Sequence, residues 1–227
     1  MLRPKKKITR KELKKDPVLE KISLLDTYIR AHRKLLAYIA LGIVAVCVIL
    51  ILMFISKKKA NAEAMGELGL AEMALARNDL EDATLRLEAI VDKYQRTKSA
   101  GIASVLLGQV YLTKGDYANA RINFDKYVDD YEDEDLLTAT AYNGLGVCAE
   151  VNEEFLKAAR YFEKGGTETE YKFQRHEAFL NAARNYLRAN SVAEARKLVE
   201  LILKAEPETR HKNAAEVLAA QIAVLSN

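Results

Sequence analysis

The 227 residues hold 35 Lys plus Arg against 32 Asp plus Glu, a formal net charge of +3, with half of all side chains hydrophobic and only two cysteines. Cysteines as far apart as Cys47 and Cys148 exclude a disulfide framework and a Cys-rich metal site. The small positive balance does not describe a nucleic-acid binder, because the basic excess sits at one end: residues 1–34 carry twelve Lys plus Arg against four acids, a balance of +8, and the remainder balances at −5.

The leader, residues 1–34, clusters Arg3, Lys5, Lys6, Lys7, Arg10, Lys11, Lys14 and Lys15. Such a cluster can touch anionic headgroups or ribosomal RNA, but its commonest meaning is a topology signal beside a membrane span. Residues 35–55 follow as twenty-one consecutive uncharged residues, bracketed by Arg30, Arg33 and Lys34 and by Lys57, Lys58 and Lys59. A helix of that length rises about 30 Å, the thickness of a bilayer's hydrocarbon core, so a single transmembrane helix is predicted. A cleaved signal peptide fits less well, despite the Ala60-Asn61-Ala62 triplet. Its apolar region runs about 7 to 15 residues, whereas this run is longer and has a basic triplet ahead of any cleavage point. The leader is richer in cations than the residues after the span, which places the N-terminus in the cytoplasm and the rest across the membrane, in a two-membrane bacterium the periplasm.

Residues 56–62 read as a linker, and from residue 63 onward the pattern is helical, rich in Ala, Leu, Glu, Lys and Arg, with Pro207 as its one proline. Apolar residues recur at spacings of three and four, and short polar clusters such as Lys114-Gly115-Asp116 separate the runs. The sequence also repeats. Gly108, Tyr117, Ala120 and Phe124 recur 38 residues later as Gly146, Phe155, Ala158 and Phe162; Ala183, Tyr186, Val192, Ala195 and Val199 continue the columns, and Ala71, Ala74, Leu80, Ala83 and Leu87 precede them. Column spacings of 37, 38 and 37 residues predict an all-α solenoid of about four helix pairs, with a capping helix over 213–225 to shield the last one.

These columns resemble the tetratricopeptide repeat. One copy carries Leu107-Gly108, Tyr111, Gly115-Asp116-Tyr117, Ala120 and Phe124; the next carries Tyr142, Leu145-Gly146, Phe155, Ala158 and Phe162; the last carries Phe179, Tyr186, Ala195 and a closing Pro207; and the first is degenerate, with Glu67 where a large residue belongs. The resemblance covers repeats at about 64–97, 101–134, 139–172 and 176–209, and it implies a right-handed superhelix. The excess over a 34-residue period is expected in loops near 95–99, 131–135 and 165–169. Small residues in the columns allow close helix approach, and aromatic residues fill the spaces between repeats.

No phosphate loop, metal-spaced His and carboxylate set or activated nucleophile is present, so neither an enzyme nor a cofactor, metal or small-molecule substrate is expected. Cys148 is expected in the core. His176 and His211, set among Arg and Glu, are expected on the surface, and the acidic runs at 129–130 and 132–135 read as solvated loop.

What remains is protein binding. The resemblance implies a concave groove lined by the first helix of each pair. Its groove positions fall on Val105, Gln109, Asn143, Val147, Glu177, Leu180, Asn181, Arg184 and Arg188. Family members that clamp a partner's C-terminal carboxylate use a Lys where this chain has Glu177, so that clamp is not expected. Arg184 and Arg188, one turn apart, are positioned to hold an acidic group. The layout of basic tail, one span and repeat array is similar to the bacterial YfgM-like family, whose members accompany the SecYEG translocon and connect it to periplasmic chaperones. That resemblance implies a scaffold for clients or chaperones at an export site. Two other roles share this architecture: a cytosol-facing import receptor, and a scaffold for envelope assembly or cell division.

Overall fold

The computed structural model describes residues 17–131, 134–205 and 207–225; the first sixteen residues of the expected tail, and Glu132 and Asp133 of the acidic run, lie outside them. The described residues form ten helices and divide into two units, 1–56 and 57–227.

The first unit contains α1 (Pro17–Ala31) and the opening part of α2 (Arg33–Ala76). From Leu41 to Ile55 every residue of α2 is exposed, and among the described residues α2 is the helix long and apolar enough to cross a membrane. Where a linker is expected, at 56–62, the chain remains helical within α2. Nothing in that segment breaks a helix: it is free of Pro and Gly, and Lys and Ala are strong helix formers.

The second unit is a series of helix pairs: the end of α2 with α3 (Leu80–Lys93), α4 (Lys98–Thr113) with α5 (Tyr117–Asp130), α6 (Asp135–Val151) with α7 (Phe155–Glu168), and α8 (Lys172–Arg188) with α9 (Val192–Lys204), then α10 (Thr209–Leu225). From α3 onward each helix packs on the next, α4 also touches α6, and α8 touches α10. Contacts confined to near neighbours define a solenoid.

The turn inside each pair shows how sequence dictates this repeat. Asn78, Gly115, Glu153 and Asn190 all adopt left-handed backbone with φ of 58–75°, at spacings of 37, 38 and 37 residues. In each turn the following amide reaches back to a carbonyl five residues earlier, as in Asp116 N to Tyr111 O at 2.9 Å and Ser191 N to Tyr186 O at 2.8 Å, which closes the first helix with a Schellman-type motif. The next helix then starts on a cap: Asp79 and Asp116 accept from the amides of Asp82 and Asn119. The two Asn119 amides hold the Asp116 carboxyl below its usual range.

Within and between pairs, rings press on glycines. A Cβ on Gly108 would stand 2.7 Å from the Phe124 ring, and one on Gly144 only 2.3 Å from its other edge, so Phe124 is wedged between α4 and α6. Phe162 meets Gly146, and Phe179 meets Gly166, in the same way. Tyr111 donates from α4 to Glu88 on α3, and Tyr186 from α8 to Glu163 on α7 at 2.6 Å. The Glu88 bond, with burial, pushes Tyr111 up to about 12.

One loop expectation and one helix start need correction. α7 runs to Glu168, so Gly165 and Gly166 are buried helix and not loop. α10 begins at Thr209, four residues before the expected start of the capping helix. The residues in excess of a 34-residue period therefore lengthen helices as well as loops.

Candidate protein-binding cleft

Residues from the first helices of three successive pairs, α4, α6 and α8, line one cleft of about 340 Å³. Gln109 and Leu112 come from α4, Thr140, Asn143, Gly144 and Val147 from α6, and Phe173, Gln174, Glu177, Ala178 and Asn181 from α8, with Phe124 and Phe162 behind them. The glycines that admit those rings keep α4 and α6 close, so the same packing that builds the stack also shapes the cleft.

Of the nine groove positions expected from the sequence, five share this cleft: Gln109, Asn143, Val147, Glu177 and Asn181. Val105 and Leu180 are only 1% and 2% exposed and belong to the core, so neither offers a surface to a partner. Inner helices are covered on two sides, by their own pair-mate and by the next pair, and that second cover takes in Val105 and Leu180. Arg184 lies outside the cleft wall, donates to Asn181 Oδ1 at 2.8 Å, and faces a hollow shared with Asn213 and Val217 of α10. Arg188 is already engaged: its guanidinium pairs with Glu150 at 2.8 Å and stacks 3.9 Å from the Phe155 ring centre. The two arginines therefore do not form a joint site for an acidic group.

Both histidines expected on the surface are buried. His211 is 0% exposed and His176 5%. The His211 ring meets Phe173 edge-on at 4.7 Å and His176 at 5.7 Å, and its Nε2 lies 3.2 Å from Glu177 Oε2, while Nδ1 is buried without a partner. Those distances fit the tautomer in which Nε2–H donates to the carboxylate. Burial, with His211, Arg175 and Lys172 nearby, holds His176 below its ordinary value. The missed signal was periodic: His211, Ala215, Leu218 and Ile222 recur at four, three and four residues, and all four are buried.

Cys148 is buried as expected, and burial pushes its thiol up to about 11, far from a reactive thiolate. A second hollow, of about 350 Å³, lies along α3. Its Arg86 and Asp82 already pair with each other at 2.9 Å.

Residues 68–135 match the family of tetratricopeptide repeats. The fold is a tetratricopeptide-repeat solenoid. Similar solved structures agree: a putative kinesin light chain from Podosopora anserina, with nearly identical TPR-like repeats, is 16% identical, covers 73% of this chain and 96% of its own, and superposes with a TM-score of 0.53. A single-substitution variant of it gives 0.54, again at 16% identity, over 72% of this chain and 94% of its own. The pilF protein of Pseudomonas aeruginosa, at 13% identity and a TM-score of 0.40 over 75% of this chain and 93% of its own, is too distant to add to the fold. No curated protein matches the sequence. Tetratricopeptide repeats are protein-interaction scaffolds.

Proposed function

We propose that this protein is a membrane-anchored scaffold of the bacterial inner membrane, YfgM-like in layout, which holds polypeptides in the cleft along α4, α6 and α8 during protein export. In this reading residues 1–34 are a cytoplasmic tail, 35–55 cross the bilayer, 56–62 connect, and 63–227 form the array on the periplasmic side. Its partners are exported clients, chaperones or translocon components.

The observation that carries the reading is the cleft itself, with exposed Gln109 and half-buried Val147 and Asn181 over an aromatic floor. Apolar area with a few oriented amides suits an extended chain, whose backbone supplies N–H and C=O groups at short intervals. The anchor is supported by an uncharged stretch long enough to span a bilayer.

Crosslinking in intact membranes, followed by purification in mild detergent, is expected to recover a translocon component or a periplasmic chaperone; recovery of neither overturns the export role. Protease added to spheroplasts is expected to digest the array. An array that survives intact places it in the cytosol and overturns the orientation.

A further inference from the structure

We infer that the cleft selects polypeptides carrying an Arg or Lys side chain, whose charged head pairs with Glu177 while its methylene stem lies along Phe173 and Val147. The inference rests on the cleft being the binding surface.

Glu177 is the one charged side chain among the residues lining the cleft. Its side chain is 38% exposed, so it is open to a ligand yet partly withdrawn from water. One oxygen, Oε2, is fixed 3.2 Å from the wholly buried His211, which holds the carboxylate in place before any partner arrives. Among the described residues no Lys or Arg side chain pairs with Glu177. A carboxylate so placed attracts a cation and repels an acidic segment. Neutral Gln109 lines the same cleft, and its exposed amide can accept from a guanidinium or from peptide N–H groups, whereas Asn143 Oδ1 is buried and Asn181 Oδ1 already accepts from Arg184. Phe173, 49% exposed, presents a ring to the stem of a long cationic side chain and to a guanidinium plane.

The test displays random decapeptides against the full chain in lipid nanodiscs. Enrichment of Arg or Lys at one register is expected, with loss of that preference in Glu177→Gln and about a tenfold weaker Kd for a selected Arg peptide. Glu177→Lys is expected to shift selection toward Asp and Glu. Gln109→Lys, which leaves the His211 contact intact, is expected to weaken the same Arg peptide and serves as the readout should a Glu177 variant fail to fold. Selection of peptides without any cationic preference, or equal binding by wild type and Glu177→Gln, overturns this inference and leaves the binding function standing. Selection of no peptide at all overturns both.

Discussion

The middle of the array and its C-terminal end are built on the same repeat but held by different chemistry. Around Phe124 the contact is one of shape: a ring wedged between two glycines on α4 and α6. Around His211 the contact is polar and aromatic: two buried imidazoles, a phenyl ring and a carboxylate join α8 to α10. Steric insertion breaks the first kind of contact, whereas burial of the neutral His176 ring makes the second sensitive to acid. The cleft is bounded by both, with Phe124 at its floor and Glu177 on its wall.

The largest expected effect comes from charging the middle. Ala120 is fully buried on α5 in the same core cluster as Phe124 and Tyr127. Ala120→Glu leaves an unpaired carboxylate there, at a cost of about 3–5 kcal/mol, and is expected to unfold the central pairs. An unchanged melting temperature would break the register of the whole solenoid. Gly144→Ala asks for less, a Cβ 2.3 Å from Phe124, and is expected to cost about 1–3 kcal/mol by overpacking. The companion Gly69→Ala has nothing within 4 Å and lies within α2, so helix propensity predicts a gain of about 0.5–1 kcal/mol. Equal effects of the two in urea unfolding would remove the ring-on-glycine account.

Acid separates the two regions next. His176 takes up a proton less readily folded than unfolded, so between its lowered folded pKa and the unfolded value near 6.5 the unfolded chain binds more protons. The stability involved is complete above that unfolded value and is lost as pH falls through the folded one. Amide protection in α8 and α10, corrected for the intrinsic exchange rate at each pH, is therefore expected to fall from pH 7.5 to pH 5 by more than in α4 and α5. His176→Gln should flatten the difference, and equal acid sensitivity at both ends would refute it.

The sequence made the solenoid legible because its columns are repeated: Gly108, Gly146, Ala120 and Phe162 announce themselves by recurrence, and each lies buried between helices. Contacts made once, between two particular neighbours, have no such echo. Gly144, Gly166 and Phe173 fall into that class. His211 did carry a signal, its place on the buried stripe of α10, but flanking Arg210 and Lys212 masked it with polarity. Val105 and Leu180 show the reverse error: transferred groove positions ignored the second cover that stacking lays over an inner helix. Arg188 gives no local sign of its engagement, because its partner, Glu150, is 38 residues away.

The smallest effect tests the turns that both regions share. Of the left-handed positions in the turns inside the four pairs, three hold Gly or Asn, which tolerate φ near 60°, while the fourth holds Glu153. Its amide still closes the turn on Glu150 O at 3.0 Å, so geometry is kept and only the side chain opposes it. Glu153→Gly removes the Cβ conflict but loosens the unfolded chain, and Glu153→Asn removes most of the conflict without that entropic penalty. Asn is therefore expected to stabilise by about 0.5–1 kcal/mol and Gly by less, measured as the shift in urea midpoint at constant m-value. The same Asn→Glu exchange made at Asn78 or Asn190 should lower the midpoint by a like amount. If all three turns prove indifferent to the swap, backbone conformation at this column is set by the flanking helices alone.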